Sequence, residues 1–201
     1  MAPHDHTGHD HSGHDHSGHD HSGHDHGAGD PACAMAHGDL EPAADGRTLV
    51  AVFASPVGRS LLHFARDAGF RTVLVEPEPD RVTDADRGLA GTVLAGPDAA
   101  VLTADADVVV TDHDRPELGV LLRDALAAAP RWVGVMGSPR HTAPHIAALA
   151  DLGVPADDIA RVHRPIGLNI GSRTPPEIAL STLAGLIADR NGRPGGFTFV
   201  P

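Results

Sequence analysis

Lysine is absent from the 201 residues, so all 15 basic side chains are arginine. That removes the phosphate-gripping lysine of a P-loop and every Schiff-base mechanism. Tyrosine is absent as well, which leaves no tyrosine general acid of the kind many nicotinamide-linked carbonyl reductases use. The single cysteine, Cys33, excludes an internal disulfide, a cysteine-rich zinc site and a self-contained iron–sulfur cluster. Apolar runs such as residues 49–54 fall far short of a membrane span, and the start lacks the basic-then-apolar order of a signal peptide. A soluble, cytoplasmic protein without a membrane partner is expected.

Positive charge is scarce too. The chain carries 27 acidic against 15 basic residues, a formal net charge of -12. Residues 1–46 hold nine of the acids and no arginine, so from Arg47 onward 18 acids face 15 bases. Neither segment has the clustered positive charge that displaces counterions from nucleic acid, so that partner is excluded.

What the first 46 residues do contain is histidine. His4-Asp5-His6-Thr7-Gly8 is followed by three copies of His-Asp-His-Ser-Gly and by His24-Asp25-His26-Gly27. With almost nothing apolar to bury, the segment cannot offset the entropy of ordering, and a disordered arm over residues 1–46 is expected. Its ten imidazoles, His4, His6, His9, His11, His14, His16, His19, His21, His24 and His26, alternate with carboxylates. Such a ligand set suits a divalent metal such as nickel, zinc, cobalt or copper(II) without selecting among them. A flexible arm of this length spans about 35 to 40 Å, enough for its metal to reach the mouth of the domain that follows. Cys33 falls in the same region and reads as a bystander thiol, with a role in metal or sulfur handling as the alternative.

Residues 47–193 alternate short apolar runs with helical patterns, and residues 194–201 form a tail. Strands are expected at 48–54, 71–76, 107–111 and 131–136, with a poorly marked one near 92–94 or 100–102. Helices are expected at 59–69, 116–129, from Pro139 to about Gly153 behind a Ser138 cap, and weakly before a short strand within 157–163. The last helix is the best marked, because Thr174-Pro175-Pro176-Glu177 has the capping-box order ahead of Ile178, Leu183, Leu186 and Ile187. Strands without a polar face, separated by helices, predict an α/β fold: a Rossmann-like, doubly wound, mainly parallel sheet preceded by a disordered His-rich N-terminal arm. Right-handed crossovers place the strand-to-helix turns on the carboxyl edge, where open α/β folds bind ligands.

Four turns supply candidates for that edge. The first aligns Phe53, Ser55 and Gly58 with the Gly-x-Gly-x-x-Gly pattern, so only the last glycine survives, and Pro56 removes an N–H. This disfavours NAD(P), although Arg59 and Ser60 at a helix start could hold a phosphate. Glu76, 18 residues beyond Gly58, stands where an acid accepts from ribose hydroxyls; a solvated strand end is the alternative. Thr111, Asp112 and His113 close the third apolar run and offer an acid, base or ligand, or else a turn with Asx-type hydrogen bonds. Gly137-Ser138-Pro139-Arg140 and Gly171-Ser172-Arg173-Thr174 share one design: a glycine for close approach, a hydroxyl, and an arginine fork for an anion. Together they point to a doubly anionic or extended phosphorylated ligand. His141 and His145 have the spacing of a helical metal pair, with a solvated face as the simpler reading.

Val133-Gly134-Val135-Met136-Gly137-Ser138-Pro139-Arg140 and Ile166-Gly167-Leu168-Asn169-Ile170-Gly171-Ser172-Arg173-Thr174-Pro175-Pro176-Glu177-Ile178-Ala179 resemble the Rossmann domain of the XdhC/CoxI family, and the likeness runs from about residue 48 to 190. Proteins of that family are accessory factors of molybdenum hydroxylases such as xanthine dehydrogenase and carbon monoxide dehydrogenase. The resemblance implies binding of molybdenum cofactor, its protection while a sulfido ligand is installed, and delivery to the apo-enzyme. It implies an insertion factor rather than an enzyme, with the apo-enzyme, a sulfurtransferase and a second copy of the chain as partners. Two features depart from the family pattern: the histidine arm stands where an N-terminal domain is usual, and Asn169 stands where aspartate is common. Two other readings remain open, a metal-delivery or storage module and an NAD(P)-dependent oxidoreductase. The last would need a substrate domain, an intact glycine turn and a proton donor.

Overall fold

Two central strands explain the architecture. In β1 (Thr48–Val52) and β4 (Ala106–Val110) every residue is buried, and alternate side chains serve opposite faces. Leu49 and Ala51 join one apolar cluster, while Val50 and Val52 join the other. Such strands are stable only with helices on both sides. The computed structural model describes residues 31–40, 46–138 and 142–196.

The chain divides into two units, residues 1–42 and 43–201. In the first, the described residues form α1 (Pro31–Ala36), which carries an exposed Cys33 and buries no residue. Within the arm expected through residue 46, the Ala-rich composition favours this short helix. The histidine repeat itself lies outside the described residues.

In the second unit, α2 (Pro56–Asp67), β2 (Arg71–Val75), α3 (Asp84–Leu89) and β3 (Thr92–Leu94) follow β1. After β4 come α4 (Leu118–Ala127), β5 (Trp132–Val135), α5 (Pro144–Asp151), α6 (Ala156–Ile159), β6 (Val162–His163) and α7 (Pro175–Arg190). The six strands are parallel in the order β3-β2-β1-β4-β5-β6. The order in which successive strands are laid down therefore reverses between β1 and β4, the switch point at which such folds open a crevice. Leu61, Leu62 and Ala65 of α2 meet Leu183 and Leu186 of α7 on one face. Leu118 and Leu122 of α4 and Leu149 of α5 cover the other.

Two helix starts differ from expectation. Ser55-Pro56 belongs to α2, with Ser55 as N-cap and Pro56 in the first turn, the position where the missing proline N–H costs nothing. Ser138 does not cap α5, which begins at Pro144 behind Ala143. Of the two sites expected for the third strand, 92–94 is used. Its register against Val73 and Val75 extends the sheet, whereas Leu102 is buried from a turn. Among the described residues no helix is long and apolar enough to cross a membrane.

Candidate functional site

The loop that precedes α7 builds the cleft, and small residues let it do so. Gly167 has φ +86°, and a Cβ there would stand 2.7 Å from Ser181 Oγ and 3.1 Å from the Thr182 amide nitrogen. Only glycine tolerates both the backbone conformation and the approach. Leu168 N–H then donates to the Ser181 carbonyl at 3.0 Å, which lays the loop along α7.

Between this loop, the carboxyl ends of β4 and β5 and the start of α2 lies a cavity of about 640 Å³. Thr111, His113, Gly137, Ser138, Gly171 and Ser172 all line it, so the two glycine–serine turns face one hollow. Sequence reasoning did not find Ser181 and Thr182, which form its floor with Ile178. They sit inside the apolar stripe of a helix, where a hydroxyl gives no signal of facing a cleft.

The side chains have different tasks. Thr111 Oγ1 accepts from Ser55 Oγ at 2.8 Å and points its proton at the carbonyls of Val52 and Phe53, 3.1 and 3.0 Å away. It ties β4 to the first turn. Gly58 packs into that knot: a Cβ would lie 3.2 Å from Phe53 O, Ser55 Oγ and Thr111 Oγ1. His113 is half-buried beside Asp114, Nε2 to Oδ1 3.7 Å. Asp112 does not line the cavity; its Oδ1 accepts from the Asp114 amide at 3.0 Å, the Asx-type turn anticipated as the alternative. The Ser138 carbonyl accepts from Arg164 Nη2 at 3.2 Å, a pairing across 26 positions that no local pattern announces.

The arginine forks are corrected in part. Arg140 lies outside the described residues, as does His141. Arg173 is exposed and does not line the cavity; its N–H donates to Glu177 Oε2 at 2.8 Å. That bond and the one from the Thr174 amide hold the Glu177 carboxyl below the usual carboxylate range. The capping box expected at Thr174 and Glu177 is formed, so this helix end already has its own negative charge. The amides of Asn169, Gly171 and Ser172, by contrast, have no acceptor among the described residues. A ligand anion would find its donors there.

Three other candidates sit elsewhere. Ser55 accepts from the Gly58 amide at 2.9 Å as N-cap of α2. Arg59 pairs with Asp86 of α3, 2.9 Å from Nε to Oδ1. Burial opposes the charge on Asp86, but hydrogen bonds from Arg59 and Thr83 outweigh it and hold the carboxyl below its ordinary range. Glu76, read as a ribose acceptor or a solvated strand end, is neither solvated nor open, being 2% exposed. Its Oε2 accepts from the Ala54 amide and its Oε1 from the Glu78 amide. Arg115, 7% exposed, donates to both oxygens at 3.2 and 3.1 Å. Nothing in the sequence pairs residues 39 positions apart, so Arg115 escaped notice.

His145, expected on a solvated face or in a metal pair, is 3% exposed, and its Nδ1 has no hydrogen-bond partner among the described residues. Burial and the neighbouring Arg164 push its pKa below the usual histidine value. Among the described residues no group of three or more His, Cys, Asp or Glu side chains is placed to hold a metal ion.

The family model of the XdhC Rossmann domain matches residues 49–186. YqeB of Escherichia coli (strain K12), described as uncharacterized, is 36% identical over 94 residues, 47% of this chain and 17% of YqeB. A solved structure from Bacillus halodurans, described as a xanthine dehydrogenase, superposes with a TM-score of 0.59 at 23% identity, covering 76% of this chain and 45% of that one. That likeness is one of fold. The chain thus spans less than half the length of either protein.

Proposed function

Because the chain belongs to the XdhC Rossmann-domain family, we propose that it serves molybdenum hydroxylases as an accessory factor that binds molybdenum cofactor, or a related phosphorylated pterin, in the cleft between the loop before α7 and the ends of β4 and β5. The observation that carries this reading is the set of unmet amides at Asn169, Gly171 and Ser172 beside a hollow of about 640 Å³. Such a volume is typical of small-ligand sites, and backbone N–H groups are natural partners of phosphate.

The residues present fit the group's anionic end. Ser138 and Ser172 would add hydroxyl contacts, His113 a half-buried imidazole, and Met136 and Ile166 apolar walls for a ring. When bound, the cofactor would bring the metal centre that the client enzyme needs. This chain's residues bind it, orient it and shield it from water. The Gly171-Ser172 turn thus acts through amides and a hydroxyl, with the exposed Arg173 guanidinium secondary.

Mass spectrometry of small molecules co-purified without oxygen tests the reading, and a phosphorylated pterin is expected. Normal activity and normal cofactor loading of molybdenum hydroxylases in a deletion strain would overturn it. For the histidine repeat we propose divalent-metal binding that supplements this role. Nickel, zinc or copper titration should then show sites that vanish when residues 1–46 are removed. Loss of client activation only under metal limitation would favour delivery of metal as the main task.

A further inference from the structure

We propose that the half of the crevice at the ends of β1 and β2 is filled by the chain's own groups, and that Ser55 and Arg115 thereby restrict the protein to ligands of mononucleotide size.

A dinucleotide on this fold rests its pyrophosphate on the first turn and the N–H groups opening the first helix, and gives ribose hydroxyls to an acid ending the second strand. Two of these amides, those of Ala54 and Gly58, and the acid itself are already engaged. The Gly58 amide donates to Ser55 Oγ, so a side-chain hydroxyl stands where a phosphate oxygen would accept, and Pro56 has no N–H to offer. The Ala54 amide donates to Glu76 Oε2 at 2.8 Å. Glu76 in turn is covered by the Arg115 fork, which also reaches Glu78 at 2.9 Å and Glu117 at 3.3 Å.

The backbone beneath is specialised for the same purpose. Phe53 occupies the place of the first glycine and adopts φ +75°, a conformation that a residue with a Cβ rarely takes. Its ring is fully buried, and the Arg115 guanidinium lies 4.6 Å from its centroid. Phe53 therefore supports the plug from below while the carboxylates hold it from the sides.

An arginine near this acid can instead read the 2′-phosphate of a phosphorylated dinucleotide. Arg115 is not placed for that, because it is 7% exposed and committed to three carboxylates. Among the described residues the β4–β5 half has no such plug. A ligand with one phosphorylated end fits the open half, whereas a second nucleotide has nowhere to lie. This inference holds for any phosphorylated ligand of the cleft and does not depend on its being a pterin.

ADP-ribose is the probe, measured by calorimetry. The parent protein should show no saturable binding at millimolar concentration. Ser55→Gly/Arg115→Ala should bind saturably, at least about tenfold tighter than the millimolar limit set by the parent, the scale of one freed charge-assisted acceptor, and adding Glu76→Gln should abolish the gain. A folded double variant without gain, or a parent that binds as tightly as the variant, overturns the proposal. Should circular dichroism show the variant unfolded, amide exchange of the parent decides. Ala54 and Gly58 exchanging alike with and without ADP-ribose supports the plug; saturable slowing at both overturns it. Absence of a pterin from the purified protein would sink the functional proposal and leave these results untouched.

Discussion

The two halves of the carboxyl edge belong to one sheet, yet they meet solvent in opposite ways. At the ends of β1 and β2 the polar groups satisfy one another: Arg115 covers the buried Glu76 over Phe53 and reaches the more exposed Glu78 and Glu117. At the ends of β4 and β5 there are hydroxyls, a half-buried histidine and amides without acceptors around a cavity. The fold places both at the switch point, and local side chains decide which one admits a ligand. In the open half, loop amides that no described protein group accepts from are left for a ligand.

The comparison can be broken most severely at Arg115. Arg115→Met should cost about 3–5 kcal/mol in urea denaturation, because Glu76 would remain buried without its cation. Pairing it with Glu76→Gln should recover at least half of that loss; full stability in the single variant would show that the cluster is not holding the closed half together. In the open half the expected effects are smaller. Gly167→Ala should cost about 1–3 kcal/mol, from its φ and the 2.7 Å approach to Ser181 Oγ, and should also weaken binding of a phosphorylated pterin. Unchanged affinity in a folded Gly167→Ala protein would detach the loop from the site. Thr174→Ala removes one half of the capping box and should cost about 1 kcal/mol, read as a lowered Tm.

The smallest effect depends on pH. His145 is buried beside Arg164, whose guanidinium holds the Ser138 carbonyl of the open half. Its folded pKa is depressed, so the unfolded chain binds the proton first. Stability should be full above about pH 6.5, the unperturbed histidine value, and should decline as pH falls toward the folded pKa. His145→Gln should flatten that decline by up to one proton between about pH 7 and 5, and an unaltered slope would assign the proton uptake to other groups.

The sequence disclosed what is local and periodic. Continuous apolar runs identify β1 and β4, and Thr174-Pro175-Pro176-Glu177 marks the start of α7, because burial on two faces and helix capping are written in neighbouring residues. It disclosed less where partners are remote. Ser138 looks like a cap by its neighbours, but its carbonyl is claimed by Arg164 and the helix starts at Pro144. Glu76 looks like a ribose acceptor by its spacing, yet Arg115 reaches it from 39 positions away. Arg173 has the right neighbours for an anion fork, and only the path of the loop shows that its exposed side chain lies off the cavity.

Amide hydrogen exchange with and without added molybdenum cofactor, kept free of oxygen, tests the central claim most directly. The account predicts slowed exchange at Asn169, Gly171 and Ser172 with Ala54 and Gly58 unchanged. Protection at Ala54 and Gly58, or none at residues 169–172, would contradict it.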